Sequence, residues 1–402
     1  MQLTYKYNIL YNPRLIELFT YSKNLYNQAN YLIKQELDKN RRWIRYYELD
    51  KILKQLEPEF DNYHKLKAQC SQQILRQIDK DWTSYFRSIK LWKTNKESFN
   101  GQPKPPRYKS KYNILIFTNQ NCKIKNNQLH LYKDLIINIP LYKDFTNFNQ
   151  VRILPKNNHI EIEIIYEQQE KEKVVNGNYG SIDLGINNLI TFVSEERPLI
   201  ISGKQIKSIN QFYNKQISKL QEKTDKRTKK MNIITDKRNR KIKDLLHKTS
   251  KFIIDHCIEK NIGNIVVGYN KQWKTSMNLG KRTNQTFTNI PYHKLINMIK
   301  YKALLSGLNV VETEESYTSK CDSLALEEVK KHDKYLGKRK FRGMFISSIN
   351  KMINADVNGA LNILRKVVHE SIVKKIMDSG LLFRPIRINN LFLINQLINS
   401  KG

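Results

Sequence analysis

The chain has 402 residues, 40% of them apolar and 27% charged, which suffices for more than one packed core and excludes a disordered tail. Lys and Arg number 71 against 37 Asp and Glu, a net charge of +34, so the chain repels itself unless a polyanion accompanies it: nucleic acid first, anionic membrane second. No run approaches the roughly 20 apolar residues of a membrane span, and the opening M-Q-L-T-Y-K-Y-N lacks the basic-then-apolar order of a signal peptide. A soluble, intracellular protein with no membrane partner is therefore expected, cytoplasmic and associated with the nucleoid. Cys70, Cys122, Cys257 and Cys321 form no C-x-x-C pair, so four reduced thiols are expected.

In chain order, T-Y-K-Y-N-I-L reads as a strand. Helical periodicity follows from Pro13 to Lys39, carried by Leu15, Leu18, Leu25, Ala29, Leu32 and Ile33. A second helix is expected over 64–94, where Cys70, Ile74, Ile78, Trp82, Phe86 and Trp92 recur at helical spacing; its aromatics read as core. The breaker-rich G-Q-P-K-P-P-R-Y-K-S-K-Y at 101–112 is a loop. From 113 to 168 the period becomes two, as in L-I-I-N-I-P and H-I-E-I-E-I-I-Y, which predicts antiparallel strands. The first unit thus reads as a β-barrel (1–12 and 99–175) with a helical insertion (13–98), an architecture that commonly grips nucleic acid.

From Tyr179 two short strands surround a Gly-Asn turn, and R-P-L-I-I-S-G supplies a third. A lysine-rich helical insertion spans 204–261. Its charge favours nucleic-acid contact through Arg227, Lys229, Lys230, Arg238 and Arg240, against a solvated hairpin. Then come the apolar strand G-N-I-V-V-G-Y-N, a helix from Tyr292 to Ser306, the strand L-N-V-V-E-T-E and a helix from about Asn354 to His369. Three hairpin strands followed by β-α-β-α is the order of an RNase H-like fold, so the class is α+β multidomain, with the second domain at 176–371. Residues 372–402 read as a basic tail.

Asp183 ends an apolar strand just before Gly185, and Asp356 lies in the first turn of a helix. Separately they read as a turn aspartate and a helix-start acid. Together they suit phosphodiester cleavage on two magnesium ions, which needs carboxylates from separate elements around ions about 4 Å apart.

Here the sequence resembles the TnpB proteins of bacterial insertion sequences, relatives of the type V CRISPR effectors. The resemblance is carried by I-D-L-G-I-N-N-L, H-K-T-S, V-V-G-Y-N-K-Q-W-K, N-Q-T-F-T-N-I-P-Y-H-K-L-I, E-E-S-Y-T-S-K and N-A-D-V-N-G-A-L-N-I-L-R-K, across most of 179–368. The first half matches only in layout, as a wedge-like barrel with a recognition insertion. The resemblance implies a split RuvC nuclease that cleaves double-stranded target DNA under the direction of a guide RNA, next to a short flanking motif. It makes Asp183 and Asp356 the first and third catalytic acids, both on Mg²⁺.

Two departures follow. The family's second acid ordinarily follows the middle strand, where this chain has Gly268. The adjacent strand end offers Glu315 as first choice and Glu314 close behind, because neighbours alternate faces. The family's two C-x-x-C pairs are also missing, since 316–350 holds only Cys321. No structural zinc is expected, and ordinary packing is expected to replace it in a degenerate zinc-finger-like insert. Nucleic-acid contacts are expected from Lys104, Arg107, Tyr108 and Lys109, from Lys274, and from Lys338, Arg339, Lys340 and Arg342. His247 and His293 match family strings without a role the residues themselves indicate.

The alternative is a guided DNA-binding repressor without nuclease activity, which Gly268 keeps open. A guide-free nuclease would not need the basic first unit. A monomer is favoured, the oligomeric state being open.

Overall fold

The computed structural model describes residues 1–141, 145, 147–270, 290–341 and 343–389. It divides into two units, Met1–Gln168 and Gln169–Gly402.

In the first unit, β1 (Gln2–Ile9) leads to α1 (Pro13–Asn40), α2 (Tyr46–Lys54) and α3 (Ala68–Thr94), followed by β2 (Leu115–Thr118), β3 (Lys123–Lys125), β4 (Gln128–Tyr132), β5 (Leu135–Asn138), β6 (Phe148–Pro155) and β7 (Ile160–Glu167). Asn12 caps α1 by accepting from the Leu15 N–H at 3.0 Å, and Pro13 suits the first turn, where no N–H is needed. The apolar stripe of α1, including Leu15, Leu18, Phe19 and Leu25, packs in one core with Ile74, Ile78 and Trp82 of α3. The unpredicted α2 has nine residues and only two buried side chains, Leu49 and Leu53, too few to show a helical period. The strand run β1 to β7 forms two antiparallel sheets among the described residues, ordered β1-β7-β6-β2 and β3-β4-β5.

The second unit contains β8 (Tyr179–Leu184), β9 (Asn188–Val193), β10 (Leu199–Ser202), α4 (Lys204–Gln221), α5 (Lys229–Glu259), β11 (Asn264–Gly268), α6 (Tyr292–Leu305), β12 (Asn309–Thr313), β13 (Lys338–Phe341), β14 (Met344–Ile346), β15 (Met352–Asn354), α7 (Ala355–Arg365), α8 (Glu370–Asp378) and β16 (Ile386–Ile388). The main sheet runs β12-β11-β8-β9-β10-β16. β8 to β10 pair antiparallel, while β8, β11 and β12 are parallel.

Its two faces bury different helices. Ile182, Ile265 and Val267 pack with Leu245, Ile253, Leu295 and Ile299 of α5 and α6. Val193, Ile200 and Val266 pack with Val357, Leu361 and Leu364 of α7 and Ile376 of α8. These strands are apolar on both faces because helices cover both. Gly307 ends α6 at φ +78°, and a Cβ there would lie 2.1 Å from the Glu172 carbonyl oxygen.

The stretch read as a basic tail, 372–402, begins inside α8, whose Val373 and Ile376 are buried, and continues to β16, which pairs in parallel with β10. Residues 390–402 lie outside the described set. In the insert at 316–350, Leu324 and Phe345 pack into the core under α7, and buried acids add to that packing. Asp322 is fully buried, and its carboxylate accepts from the N–H groups of Leu324, Ala325 and Ser348 and from the hydroxyls of Ser347 and Ser348 at 2.7–3.3 Å. Glu327 accepts from the Asp322 and Leu336 N–H groups. Two carboxylates thus tie the loops of the insert together beside its apolar packing. All four cysteines are buried and free.

Candidate active site at the strand ends

The face alternation of β8 decides where Asp183 points. Ile182 enters the core under α5 and α6, so Ser181 and Asp183 face α7. The Ser181 hydroxyl donates to the Ala360 carbonyl at 2.7 Å. One pleat further, Asp183 lies over Gly359, where a Cβ would come 3.1 Å from Asp183 Oδ2. Asp356 precedes Gly359 and Ala360 by three and four residues and so shares their helix face. Asn354 caps α7, accepting from the Asp356 and Val357 N–H groups, and the helix start favours the acid. The Asn188 amide, from the first residue of β9, donates to Asp356 Oδ2 at 2.5 Å.

The Asp356 charge bears on Asp183. Burial first, and the Asp356 charge second, push the Asp183 carboxyl up to about 7, while Arg339 on the exposed β13 pulls it the other way. Asp183 nonetheless keeps some solvent-exposed surface. Burial and the neighbouring charge thus favour the neutral form of Asp183.

Gly268 ends β11 on the same face. Val267 pairs with Ile182, which brings Gly268 level with Asp183. A Cβ on Gly268 would meet Ile363 Cδ1 at 2.4 Å and Glu315 Cβ at 3.5 Å. The Glu315 side chain therefore starts beside the place where a residue-268 side chain would stand. Glu315 is half-buried, whereas Glu314 is exposed and its carboxylate accepts from the Ser316 hydroxyl. Lys366, just past α7, donates to the Glu314 and Ser316 carbonyls at 2.8 and 2.9 Å and clamps the chain on both sides of Glu315. Among the described residues no three His, Cys, Asp or Glu side chains are grouped closely enough to hold a metal ion.

Tyr292, at the start of α6, was not anticipated. Its hydroxyl donates to the Gly185 carbonyl at 2.9 Å, tying down the turn after Asp183. Burial raises the phenol's pKa first, and the charges of Asp183 and Glu315 add to the rise. P-Y-H-K-L carried the signal, but nothing local distinguishes this tyrosine from core. The neighbouring His293 is exposed and pairs with the Asn297 amide. His247 is lowered to about 4 by burial and by Lys302 and Lys243, with Asp244 opposing.

The predicted nucleic-acid residues separate into distinct groups. Lys104, Arg107, Tyr108 and Lys109 line one cavity with α3. Lys229, Lys230 and Arg240 are exposed on α5. Arg227 instead bonds Asn232 and Thr235, and the half-buried Arg238 bonds Asn210 and lies 5.5 Å from the centre of the Tyr213 ring. Lys338, Arg339 and Lys340 are exposed along β13. Lys274 and Arg342 lie outside the described residues.

Comparison with known proteins bears on this arrangement. A family profile described as a probable transposase matches residues 163–274, and one described as a Cas12f1-like TNB domain matches residues 292–363. The TnpB-like protein ORF457 of Acidianus two-tailed virus is 26% identical over 403 residues, spanning 88% of this chain and 83% of that protein. Among solved structures, a Cas12f1–sgRNA–target DNA complex aligns at TM-score 0.38 and 16% identity over 90% of this chain and 98% of the other. The mini-RNA-guided endonuclease CRISPR-Cas_phi3 aligns at TM-score 0.46 and 11% identity over 97% and 94%. The two profile matches fall on the strand ends and helices that bring Asp183, Gly268, Glu315 and Asp356 to one face, and the similarity to the TnpB-like viral protein runs over most of the chain.

Proposed function

We propose that the protein is an RNA-guided DNA endonuclease with a RuvC-like site formed by Asp183, Glu315 and Asp356. The observation that carries this reading is the placement of three acid-bearing positions on one face. Asp183 lies over Gly359, which follows Asp356 by three residues on the same helix face, and the Glu315 Cβ lies 3.5 Å from the point where a Gly268 side chain would begin. The β10-β9-β8-β11-β12 order, antiparallel then parallel, supports an RNase H-like domain.

Asp183 and Asp356 would hold Mg²⁺, with Glu315 as the third acid. Mg²⁺, two ions when bound, would supply an activated water and stabilise the leaving oxygen. Asn188 and the α7 cap orient Asp356, Tyr292 fixes the turn beyond Asp183, and Lys366 holds the Glu315 backbone. Arg339 offers a cation beside Asp183 for a phosphate. Net charge +34 suits guide RNA and target DNA as partners, and the first unit's strands suit a wedge-like, barrel-type grip.

The test is plasmid cleavage by the full chain with its co-purified RNA and a matched target, in Mg²⁺ and in EDTA. Mg²⁺-dependent cutting that Asp183→Ala and Glu315→Gln lose and Glu314→Gln keeps is the expected result. The described residues do not gather three ligating side chains, which favours one rival, a guided DNA-binding repressor. Tight, guide-matched binding without cutting in any flanking context would establish that rival.

A further inference from the structure

In the first unit, the irregular segment 103–109 is pinned against α1 and α3 and lines one side of an open groove of about 410 Å³, within the usual size range for small-molecule sites. The pinning is specific. The Asn27 amide donates to the Lys109 carbonyl and its oxygen accepts from the Lys109 N–H, at 2.9 and 2.7 Å. Buried Asn30 donates to the Pro106 carbonyl and accepts from the Trp82 indole N–H. A segment rich in proline and held at Pro106 and Lys109 loses little entropy when a ligand arrives.

The α3 wall presents Asp81, Ser84, Tyr85 and Ser88 to the cavity, at the i, i+3, i+4, i+7 spacing of one helix face. The loop side adds Lys104, Arg107 and Lys109. Tyr108 is 47% exposed, with the Lys34 ammonium 4.3 Å from its ring centre. Cations and an open aromatic ring suit a phosphate and a stacked base. Asp81 is the one carboxylate among the lining residues. Its Oδ2 accepts from the Tyr26 hydroxyl at 2.8 Å. In a groove built for phosphates an acid repels the ligand unless it meets a donor, and the donor a nucleotide brings to an acceptor-only group is an amino group on its base edge.

We propose that this cavity binds one nucleotide of an unpaired strand and selects a base bearing an exocyclic amino group through Asp81. The proposal rests on the nucleic-acid partners inferred above and adds a base preference located in the first unit.

Fluorescein-labelled hexamers dC6, dT6, rC6 and rU6 test it, bound to the full-length chain across a salt series. Cytosine differs from thymine and uracil at the C4 amino group, where they carry a keto oxygen. The wild type is expected to prefer dC6 over dT6, or rC6 over rU6, by about tenfold; the pair that shows the preference names DNA or RNA as the source strand. Asp81→Asn keeps an acceptor for Tyr26 and is expected to erase the preference while leaving the salt slope, which phosphate contacts set, unchanged. Ser84→Trp, at an exposed helix position, fills the cavity and is expected to weaken all four hexamers together. Equal binding of cytosine and keto hexamers by the wild type, or an undiminished preference in Asp81→Asn, overturns the proposal. Neither result alters cleavage, and a protein that prefers cytosine yet never cuts loses only the nuclease reading.

Discussion

Asp322 and Asp183 belong to the same unit, and both are withdrawn from bulk water, yet their surroundings differ in kind. Asp322 sits among five N–H and O–H donors within 3.3 Å. Asp183 is set beside a second carboxylate and is pushed up to about 7. A carboxylate saturated by donors is part of the scaffold, because its charge is already satisfied. One that faces another acid at a strand end is destabilised until a cation arrives, and that is the arrangement a metal-using site requires.

The largest effect that would break this contrast is on cleavage. Asp183→Ala is expected to lower Mg²⁺-dependent cutting by roughly 10³-fold or more with the melting temperature preserved. Asp322→Ala is expected to do the reverse, costing about 3 kcal/mol or more through donors left unpaired, read by denaturant unfolding. If Asp183→Ala unfolds the chain, or Asp322→Ala leaves stability untouched, the two acids have been assigned the wrong way round.

Lys366→Met sharpens the comparison at Glu315. Removing the clamp is expected to lower cleavage by about 10–100-fold while binding of a matched target is retained. A loss of binding in step with cleavage would make Lys366 merely structural.

Two pH effects of opposite sign are expected to be smaller. Asp183 has a folded pKa raised from 3.8 to about 7. The metal-free folded chain therefore binds the extra proton between those values, and stability falls as pH rises through that window. Mg²⁺ is expected to offset this in the wild type but not in Asp183→Asn, shifting the melting temperature by several degrees. His247, lowered from 6.5 to about 4, works the other way. The unfolded chain holds the proton there, so this contribution is lost as pH falls from 6.5 through 4. His247→Gln is expected to flatten that limb by a few degrees, and an unchanged limb would remove the histidine from the account.

Sequence alone determined the long and strongly periodic elements, because hydrophobic period is local, but not short ones such as α2. The 3.6-residue stripe of α1, the two-residue alternation of β7 and the apolar runs of β8 and β11 need no knowledge of partners. Motif strings also singled out Asp183, Asp356 and the pair Glu314 and Glu315. Tertiary structure decided which face each residue takes. Glu315 is separated from Glu314 by the packing of α7, by Lys366 and by the space over Gly268, none of which lies nearby in sequence. The same holds for Asn188, for Tyr292 reaching Gly185, and for Ser347 and Ser348 on Asp322. Such contacts join residues tens to more than a hundred positions apart, and a single chain read in order carries no signal for the distance at which two side chains will meet.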